Sequence, residues 1–508
     1  MKKSILVLFT CLWAPLFAQT TFQLTLDFAP TENIEDIAET AQHDYVAVSS
    51  TYNGSNYDII LVKFSSSGVI LATNTISTAS SEIPKSICSL SDGGFFITGY
   101  TFNTPSDNDA LVLKVDSSLN LSFYKRYGVV GGNDYANEGF EIIPGEYSFS
   151  GTIAIGGSAK PSFVTLDNNG VVIRQHYLNT NQFASPDYHG TYLGNGNMGY
   201  AHLSNIISVL DTAFNTVLNF SSSIGGYTTR VNSTNDNKCV AVGVAGFGGP
   251  SSGLALMKSD PTTGTTSILK KYSLAGNDLN PNGVFQDNNG NYYISGNKIN
   301  FNNGTSEAFV IKTDSTGLII WAKTYKPTTA SESYCSFLLP TSDGGFMIGG
   351  YSGSFSSNDL FVAKLDTSGV SSCNSNIITL STSVLSLGSA IAHTATGGSI
   401  SIIAISPPTV AAASGTTSII CLTSGNYEIP ESSLARIYPS IFTDALHFTS
   451  ETGNWKITIY DMQGKDVFNK KVTNAETLHL QNLNSGLYIY VAHELSNGSS
   501  VTGKIFKE

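Results

Sequence analysis

Between Glu32 and Cys373 the chain writes one phrase of about fifty residues seven times, and a repeat of that period restricts the fold to an array of small identical units. The clearest copies read Ser91-Asp92-Gly93-Gly94-Phe95-Phe96-Ile97-Thr98-Gly99-Tyr100, then Asp109-Ala110-Leu111-Val112-Leu113-Lys114-Val115-Asp116. A second pair reads Ser342-Asp343-Gly344-Gly345-Phe346-Met347-Ile348-Gly349-Gly350-Tyr351, then Asp359-Leu360-Phe361-Val362-Ala363-Lys364-Leu365-Asp366. Aligned on the Lys-x-Asp step, the copies bring Lys63, Lys114, Thr165, Val209, Lys258, Lys312 and Lys364 into register. Turns such as Asp92-Gly93-Gly94 and Ser315-Thr316-Gly317 cut each copy into four short strands, because Gly and Asn supply the positive φ of tight hairpins.

Four antiparallel strands repeated radially predict a seven-bladed β-propeller, which protects its sheet edges by closing on itself. A parallel β-helix is the rival, but its coils are shorter and carry no pair of hairpin turns. The seventh copy stops at Gly369-Val370-Ser371 without a fourth strand. Thr21-Phe22-Gln23-Leu24-Thr25-Leu26-Asp27-Phe28 alternates apolar and polar residues and is predicted to supply that strand, closing the ring noncovalently.

Bulk composition fits a large exported all-β protein. Among 508 residues, aromatic side chains make up 11% and charged ones only 13%. A formal net charge of -12 and the absence of a Lys/Arg cluster beyond the first residues exclude nucleic acid as a partner. Lys2 and Lys3 precede an apolar run from Ile5 to Phe17, which reads as a secretory signal over residues 1–18, cleaved between Ala18 and Gln19. That run falls short of the ~20 residues a bilayer span needs, so no transmembrane segment is expected in the mature chain.

The repeats resemble bacterial repeats with an Asp-Gly-Gly-Tyr/Phe core and a Lys-x-Asp-x-x-Gly-x-x-x-Trp-x-Lys-x-Tyr tail, assigned to propeller-like surface and secreted proteins. The resemblance covers about residues 20 to 373, within a propeller expected over 19–373; in the third to fifth copies Lys gives way to Thr165 or Val209, and the tail Trp survives only as Trp321. Residues 374–430 change to Ser, Thr, Ala and Ile, a Ser/Thr-rich β strap or linker whose runs at Ile377 and Ile400 are too apolar for a solvated spacer. Cys373 and Cys421 flank this stretch, as Cys-bounded stretches do after similar propellers. They form either a disulfide, contributing roughly 4 kcal/mol on chain-entropy grounds, or two unpaired thiols. Cys88, Cys239 and Cys335 read as small core residues.

The final segment, 431–508, carries Ile437-Tyr438-Pro439-Ser440-Ile441-Phe442, Ile457-Thr458-Ile459-Tyr460-Asp461-Met462-Gln463-Gly464-Lys465, Gly486-Leu487-Tyr488-Ile489-Tyr490-Val491 and Gly503-Lys504-Ile505-Phe506-Lys507-Glu508. It is similar to the type A C-terminal sorting domain of Bacteroidetes type IX secretion substrates, with Tyr438-Pro439-Ser440-Ile441-Phe442 in place of the usual Tyr-Pro-Asn-Pro-Phe. The resemblance implies a small β-sandwich, engagement of the type IX machinery, and a product that is secreted or attached to the outer cell surface. Removal of the domain after translocation is also implied.

No catalytic, metal or cofactor motif is assembled in the sequence. Asp187-Tyr188-His189 is a lone pair with no third ligand. Gly249-Pro250-Ser251-Ser252-Gly253 has the letters of a nucleophile elbow but precedes a strand rather than a helix. The acidic run Glu32, Glu35, Asp36 and Glu39 reads as a solvated strand edge, and Asp287-Asn288-Asn289-Gly290-Asn291 as a hairpin rather than a calcium loop. What remains for binding is the face where second-to-third-strand loops open. Tyr52, Tyr57, Tyr100, Phe102, Tyr351 and Phe355 stand there among Ser, Asn and Gly, a mixture suited to glycan or protein contact. The reading that follows is a noncatalytic binding or adhesion propeller. An extracellular polysaccharide hydrolase or lyase and a structural surface component are the alternatives.

Overall fold

The computed structural model describes residues 20–28, 32–104, 107–178, 189–194, 197–201, 206–211, 216–221, 226–246, 252–327, 330–354, 357–371, 375–385, 395–397, 401–403, 408–412, 416–423, 435–438, 441–461, 465–495 and 500–507. These residues form strands, turns and bends without a helix, in two compact units that divide between Leu422 and Thr423.

The larger unit holds seven antiparallel sheets, each laid down as consecutive strands along the chain. Sheet one is Glu32–Glu39, Tyr45–Tyr52, Tyr57–Phe64 and Ile70–Ser77. The first strands of sheets two to seven are Ser81–Ser89, Tyr135–Ile143, His189–Gly194, Tyr227–Ser233, Asn277–Gln286 and Glu332–Pro340. Each first strand contacts the next, and Glu332–Pro340 contacts Glu32–Glu39, so the series closes on itself. In every sheet the hairpins joining strands one to two and three to four lie at one end, here the turn end. The links between strands two and three and between sheets lie at the other, the loop end.

Sheet seven obtains its fourth strand from the start of the described chain. Thr21–Asp27 pairs antiparallel with Ser357–Leu365, Phe22 opposite Lys364 and Leu26 opposite Leu360. Central strands are covered on both faces, so their apolar residues run almost without interruption: Tyr45 and Ala47 pack toward the closing strand, Val46 and Val48 toward sheet two. Val46 and Val48 each contribute about 1.5–3 kcal/mol by leaving water.

The repeat's signature residues tie sheets together at the turn end. Lys114 reaches Asp92 of its own sheet at 2.7 Å, and Lys258 reaches Asp236 at 3.0 Å. The same lysines lie over the next sheet's aromatic ring, Lys114 over Tyr147 at 5.0 Å and, across the closure, Lys364 over Tyr45 at 5.5 Å. Burial opposes ionisation of Asp236, but hydrogen bonds from Thr234 and Lys258 outweigh it and hold the carboxyl at about 2. The tail tyrosine donates to a turn glycine of the following sheet: Tyr127 to the Gly170 carbonyl at 2.6 Å and Tyr272 to that of Gly317 at 2.7 Å. Gly170 and Gly317 have φ of 73° and 78°, and an added Cβ at either would stand 3.1 Å from the tyrosine oxygen. At the closure, Gly68 meets Phe22 and Leu24 instead, because Thr21–Asp27 occupies the place of the tyrosine-bearing strand.

Residues 375–423 run around the outside against the direction of the repeats. Ser375–Ile377 adds a strand to sheet six, Ser381–Val384 to sheet five, Ala395–Gly397 to sheet three, Ser401–Ile403 to sheet two, Thr409–Ala412 to sheet one, and Thr416–Thr423 to Thr21–Asp27. Backbone pairing rather than side-chain burial holds this belt where its side chains are described, since Ile377 and Val384 are each 81% exposed. Ile378 and Leu380, between the first two belt strands, pack against the core of sheets five and six. The composition that reads as too apolar for a linker thus belongs to a chain of short edge strands, which spare six sheet rims an open row of N–H and C=O groups.

In the smaller unit, Ala445–Tyr460 pairs on one side with Asp466–His479 and on the other with Gly486–Glu494, which pairs in turn with Ser500–Lys507. Ile441–Phe442 runs parallel to Phe506–Lys507, tying the last residues into a core around Trp455, Ile457 and Ile505. The Gln463-Gly464 turn lies outside the described residues.

Deleting residues 20–27 leaves two sheet edges open, those of Ser357–Leu365 and Thr416–Thr423. The expected outcome is a soluble yield reduced severalfold, with faster limited proteolysis and a lower melting temperature. Unchanged melting and solubility would overturn the closure.

Candidate functional site

Where the first strands line the middle of the ring, they share a defect. Their register with the second strand breaks at Glu35, Lys85, Asn137, Thr229, Asn282 and Ser336. A β-bulge places two residues opposite one and re-aims a side chain, so it cancels the in–out alternation of an ordinary strand. Polar residues at and beside the bulges therefore enclose a central cavity of about 110 Å³, lined by Glu35, Asp36, Lys85, Glu138, His189 and Arg230 together with Asn282 and Ser336. In sheet four the register of His189–Gly194 breaks later, between Tyr192 and Gly194.

Most of the charged groups in the cavity are paired with one another or with backbone. Lys85 lies 3.4 Å from Glu35, and His189 Nδ1 lies 3.2 Å from Glu138 Oε2. Asp36 accepts from the N–H of Ile37 at 2.8 Å and of Ile87, in the neighbouring sheet, at 3.0 Å. Other links join neighbouring sheets nearby: Asn232 donates to the Val284 carbonyl at 3.2 Å, Asn282 to the Cys335 carbonyl, and Ser150 Oγ accepts from Gly190 N–H at 2.8 Å. Burial, with the negative charge of Glu138 added, pushes Asp36 up to about 7 against the two N–H donors. Burial also raises Glu138, partly offset by the Arg230 guanidinium.

Two raised carboxyls in one cavity are the raw material of acid–base chemistry. Here Asp36 spends both oxygens on backbone donors and Glu138 holds His189. The cavity is also well below the ~300 Å³ of ordinary small-molecule sites and suits water molecules rather than a sugar ring. No group of three His, Cys, Asp or Glu side chains suited to a metal occurs among the described residues.

The acidic run of the first strand is not the solvated edge its sequence suggests. Glu35 and Asp36 turn into the cavity because the bulge lies between Ile34 and Asp36, and Glu39 accepts from the Ser342 N–H at 2.9 Å across the closure. These cavity residues are missed when each repeat is read by strict alternation. The signal available was a polar residue recurring at one register, Glu35, Lys85, Asn137, Thr229, Asn282 and Ser336, inside otherwise apolar first strands.

The aromatics singled out in the sequence lie at the loop end of sheets seven, one and two, in groups, and Phe301, 39% exposed, stands at the same end of sheet six. Tyr52, 38% exposed, rests against Tyr57 with ring centroids 5.2 Å apart. Tyr100 packs on Phe102 and, edge-on at 5.0 Å, on Tyr135 of sheet three. Tyr351 stacks on Tyr334 at 4.4 Å and is half-buried. Phe355, Ala18, Gln19 and Cys373 lie outside the described residues, and Cys421 lies on Thr416–Thr423 with its side chain undescribed. Cys239 and Cys335 are buried free thiols and Cys88 is a half-buried one.

Residues 436–508 match the family described as the secretion system C-terminal sorting domain. The chain is therefore exported by type IX secretion, engages that machinery through this domain, and is secreted or attached to the cell surface. No described helix is long and apolar enough to cross a membrane. No curated protein is similar in sequence. Among solved structures, a protein of unknown function from Dyadobacter fermentans aligns with TM-score 0.39 and 8% identity over 68% of this chain and 98% of its own. The endo-arabinase of Bacteroides thetaiotaomicron aligns with TM-score 0.27 and 12% identity over 54% and 89%. Trypanosoma rangeli sialidase in complex with sialic acid aligns with TM-score 0.32 and 8% identity over 94% and 86%. Likeness at this level carries no argument about activity.

The Asp36 shift has a sign that can be measured. A carboxyl raised from 3.8 to about 7 on folding leaves the folded state holding the extra proton between those values, so stability falls as pH rises through that window. Asp36→Asn is expected to flatten the fall in denaturation free energy between pH 4 and 7, by on the order of 1–2 kcal/mol. A slope identical to that of the parent protein would mean that Asp36 does not titrate there.

Proposed function

We propose that this protein is a noncatalytic binding or adhesion module, a seven-bladed β-propeller delivered to the cell exterior by its sorting domain. In this reading residues 1–18 are the signal peptide, 19–373 the propeller, 374–430 the strap and 431–508 the sorting domain, and the ligand meets the loop end. The observation that carries it is the central cavity. Its acidic and basic side chains are committed to one another or to backbone, and its volume of about 110 Å³ leaves no room for a polymer subsite. The aromatic groups of the loop end, headed by exposed Tyr52, supply rigid contact area at low entropic cost. A polysaccharide hydrolase or lyase is the second reading, favoured only by the raised carboxyls of Asp36 and Glu138.

Export and binding are separately testable. Truncation before Ile437 is expected to retain the protein inside a strain with type IX secretion, while fusing 431–508 to a reporter carries the reporter out. Export of the truncated chain would overturn the assignment. In a glycan and surface-protein array with the secreted form, Tyr52→Ala is expected to weaken binding about tenfold, with little change in melting since the ring is partly exposed. Turnover of a polysaccharide by the parent protein would move it to the enzyme class.

A further inference from the structure

The closing seam carries a titratable group that its counterpart elsewhere in the ring lacks. Between sheets two and three, Ser91 of the first hairpin donates its N–H to Glu141 Oε2 at 2.7 Å and its hydroxyl to Glu141 Oε1 at 3.0 Å. Between sheets seven and one the same pair recurs: Ser342 donates its N–H to Glu39 Oε2 at 2.9 Å and its hydroxyl to Glu39 Oε1. Four residues after each glutamate the hairpin takes a left-handed residue. It is Gly145 at φ 84° in sheet three and His43 at φ 63° in sheet one.

That conformation is costly for a residue with a Cβ, and among the described non-glycine residues only His43, Leu119 and Asn237 adopt it. What the imidazole gains is a contact with the other sheet. His43 Nδ1 lies 2.6 Å from Ser342 Oγ and 3.2 Å from Glu39 Oε1. A ring without a proton on Nδ1 competes with Glu39 for the one Ser342 hydroxyl proton and turns its lone pair toward the carboxylate. An imidazolium donates Nδ1–H while Ser342 gives both of its protons to Glu39, so every bond is made and opposite charges meet. The neighbouring groups favour that form. Asp44 stands 3.8 Å from Lys63 and Asp343 stands 2.5 Å from Lys364, which leaves Glu39 as the one carboxylate of the three without a lysine. The Tyr45 phenol, pushed far up by burial and by the same three carboxylates, stays neutral.

We propose that His43 makes the closing seam a proton-operated latch, tighter at mildly acidic pH and looser above neutrality, which the seam between sheets two and three is not. Imidazole is the side chain whose charge changes between about pH 5 and 8. The sign follows from the contacts. A group whose protonated form is favoured by the closed seam stabilises that seam at low pH, and the contribution is lost as the proton leaves with rising pH. Because the His43 side chain is 64% exposed, solvent screening keeps the effect small and confines it to the turn end of the seam.

The test is amide hydrogen exchange on the full secreted chain at pH 5.5 and 8.0, with each rate referred to that of an unstructured amide at the same pH. Protection of the Ser342 N–H is expected to be about two- to threefold higher at pH 5.5, the size an exposed ion pair supports, while that of the Ser91 N–H stays the same. In His43→Gly the difference at Ser342 is expected to vanish with the fold retained, because Gly145 serves at this position in sheet three. His43→Asn, also suited to a left-handed turn, is expected to behave alike and takes its place if the glycine variant loosens the hairpin. Equal protection of Ser342 at the two pH values would overturn the proposal, as would a matching change at Ser91 or a difference that survives in both variants.

Discussion

An unpaired sheet edge is the constraint on which the larger unit depends. Each four-stranded sheet ends in a row of free N–H and C=O groups that would recruit any passing strand. Thr21–Asp27 sits between Ser357–Leu365 and Thr416–Thr423, so segments from opposite ends of the 20–422 unit meet in one sheet. The same seam carries Lys364 over Tyr45 and Ser342 against Glu39, as Lys114 meets Tyr147 and Ser91 meets Glu141 between sheets two and three. Equivalent contacts at the closure and inside the array place sheets seven and one as ordinary neighbours.

Turn chemistry supplies the specificity that burial alone lacks. Strands covered on both faces would slip past one another with little penalty in area where their middles are uninterruptedly apolar, as in Leu111-Val112-Leu113 and Leu360-Phe361-Val362. The Lys–Asp pair fixes the register of the third strand against the first hairpin. The Tyr-to-Gly carbonyl bond fixes the fourth strands of sheets two, five and six against the next sheet's second hairpin, and an added Cβ at those glycines would crowd the tyrosine oxygen. Repeating such small contacts around the ring fixes the spacing of sheets whose sequences have diverged.

The belt and the central cavity are two uses of backbone irregularity. Bulges turn the inner strands into a source of polar groups, which then satisfy one another across sheets and make the centre a structural network. The belt converts an uncharged, Ser/Thr-rich segment into edge cover without a core of its own. The loop end carries Asp27 opposite Asp359 and the partly exposed rings of Tyr52 and Phe301.

The repeat, the four strands of each copy, the closing strand and the sorting domain were legible in the sequence, because each is written in local chemistry: Asp-Gly-Gly and Ser/Thr-x-Gly turns, alternation in Thr21–Asp27, and the motifs after Ile437. Thr165 and Val209, which replace the repeat lysine, nonetheless fall on third strands, since the hydrophobic period persists where the ion pair is lost. Three features were decided only by tertiary structure. Glu35, Asp36, Glu138 and His189 share a cavity through bulges that break the alternation on which sequence reading relies. The belt pairs by backbone, which has no residue code, so Ile377, in a run that looks buried in sequence, is exposed. Finally, which carboxylates lack a cation depends on which strands meet, and Asp27 faces Asp359 only because residues more than three hundred positions apart close one sheet.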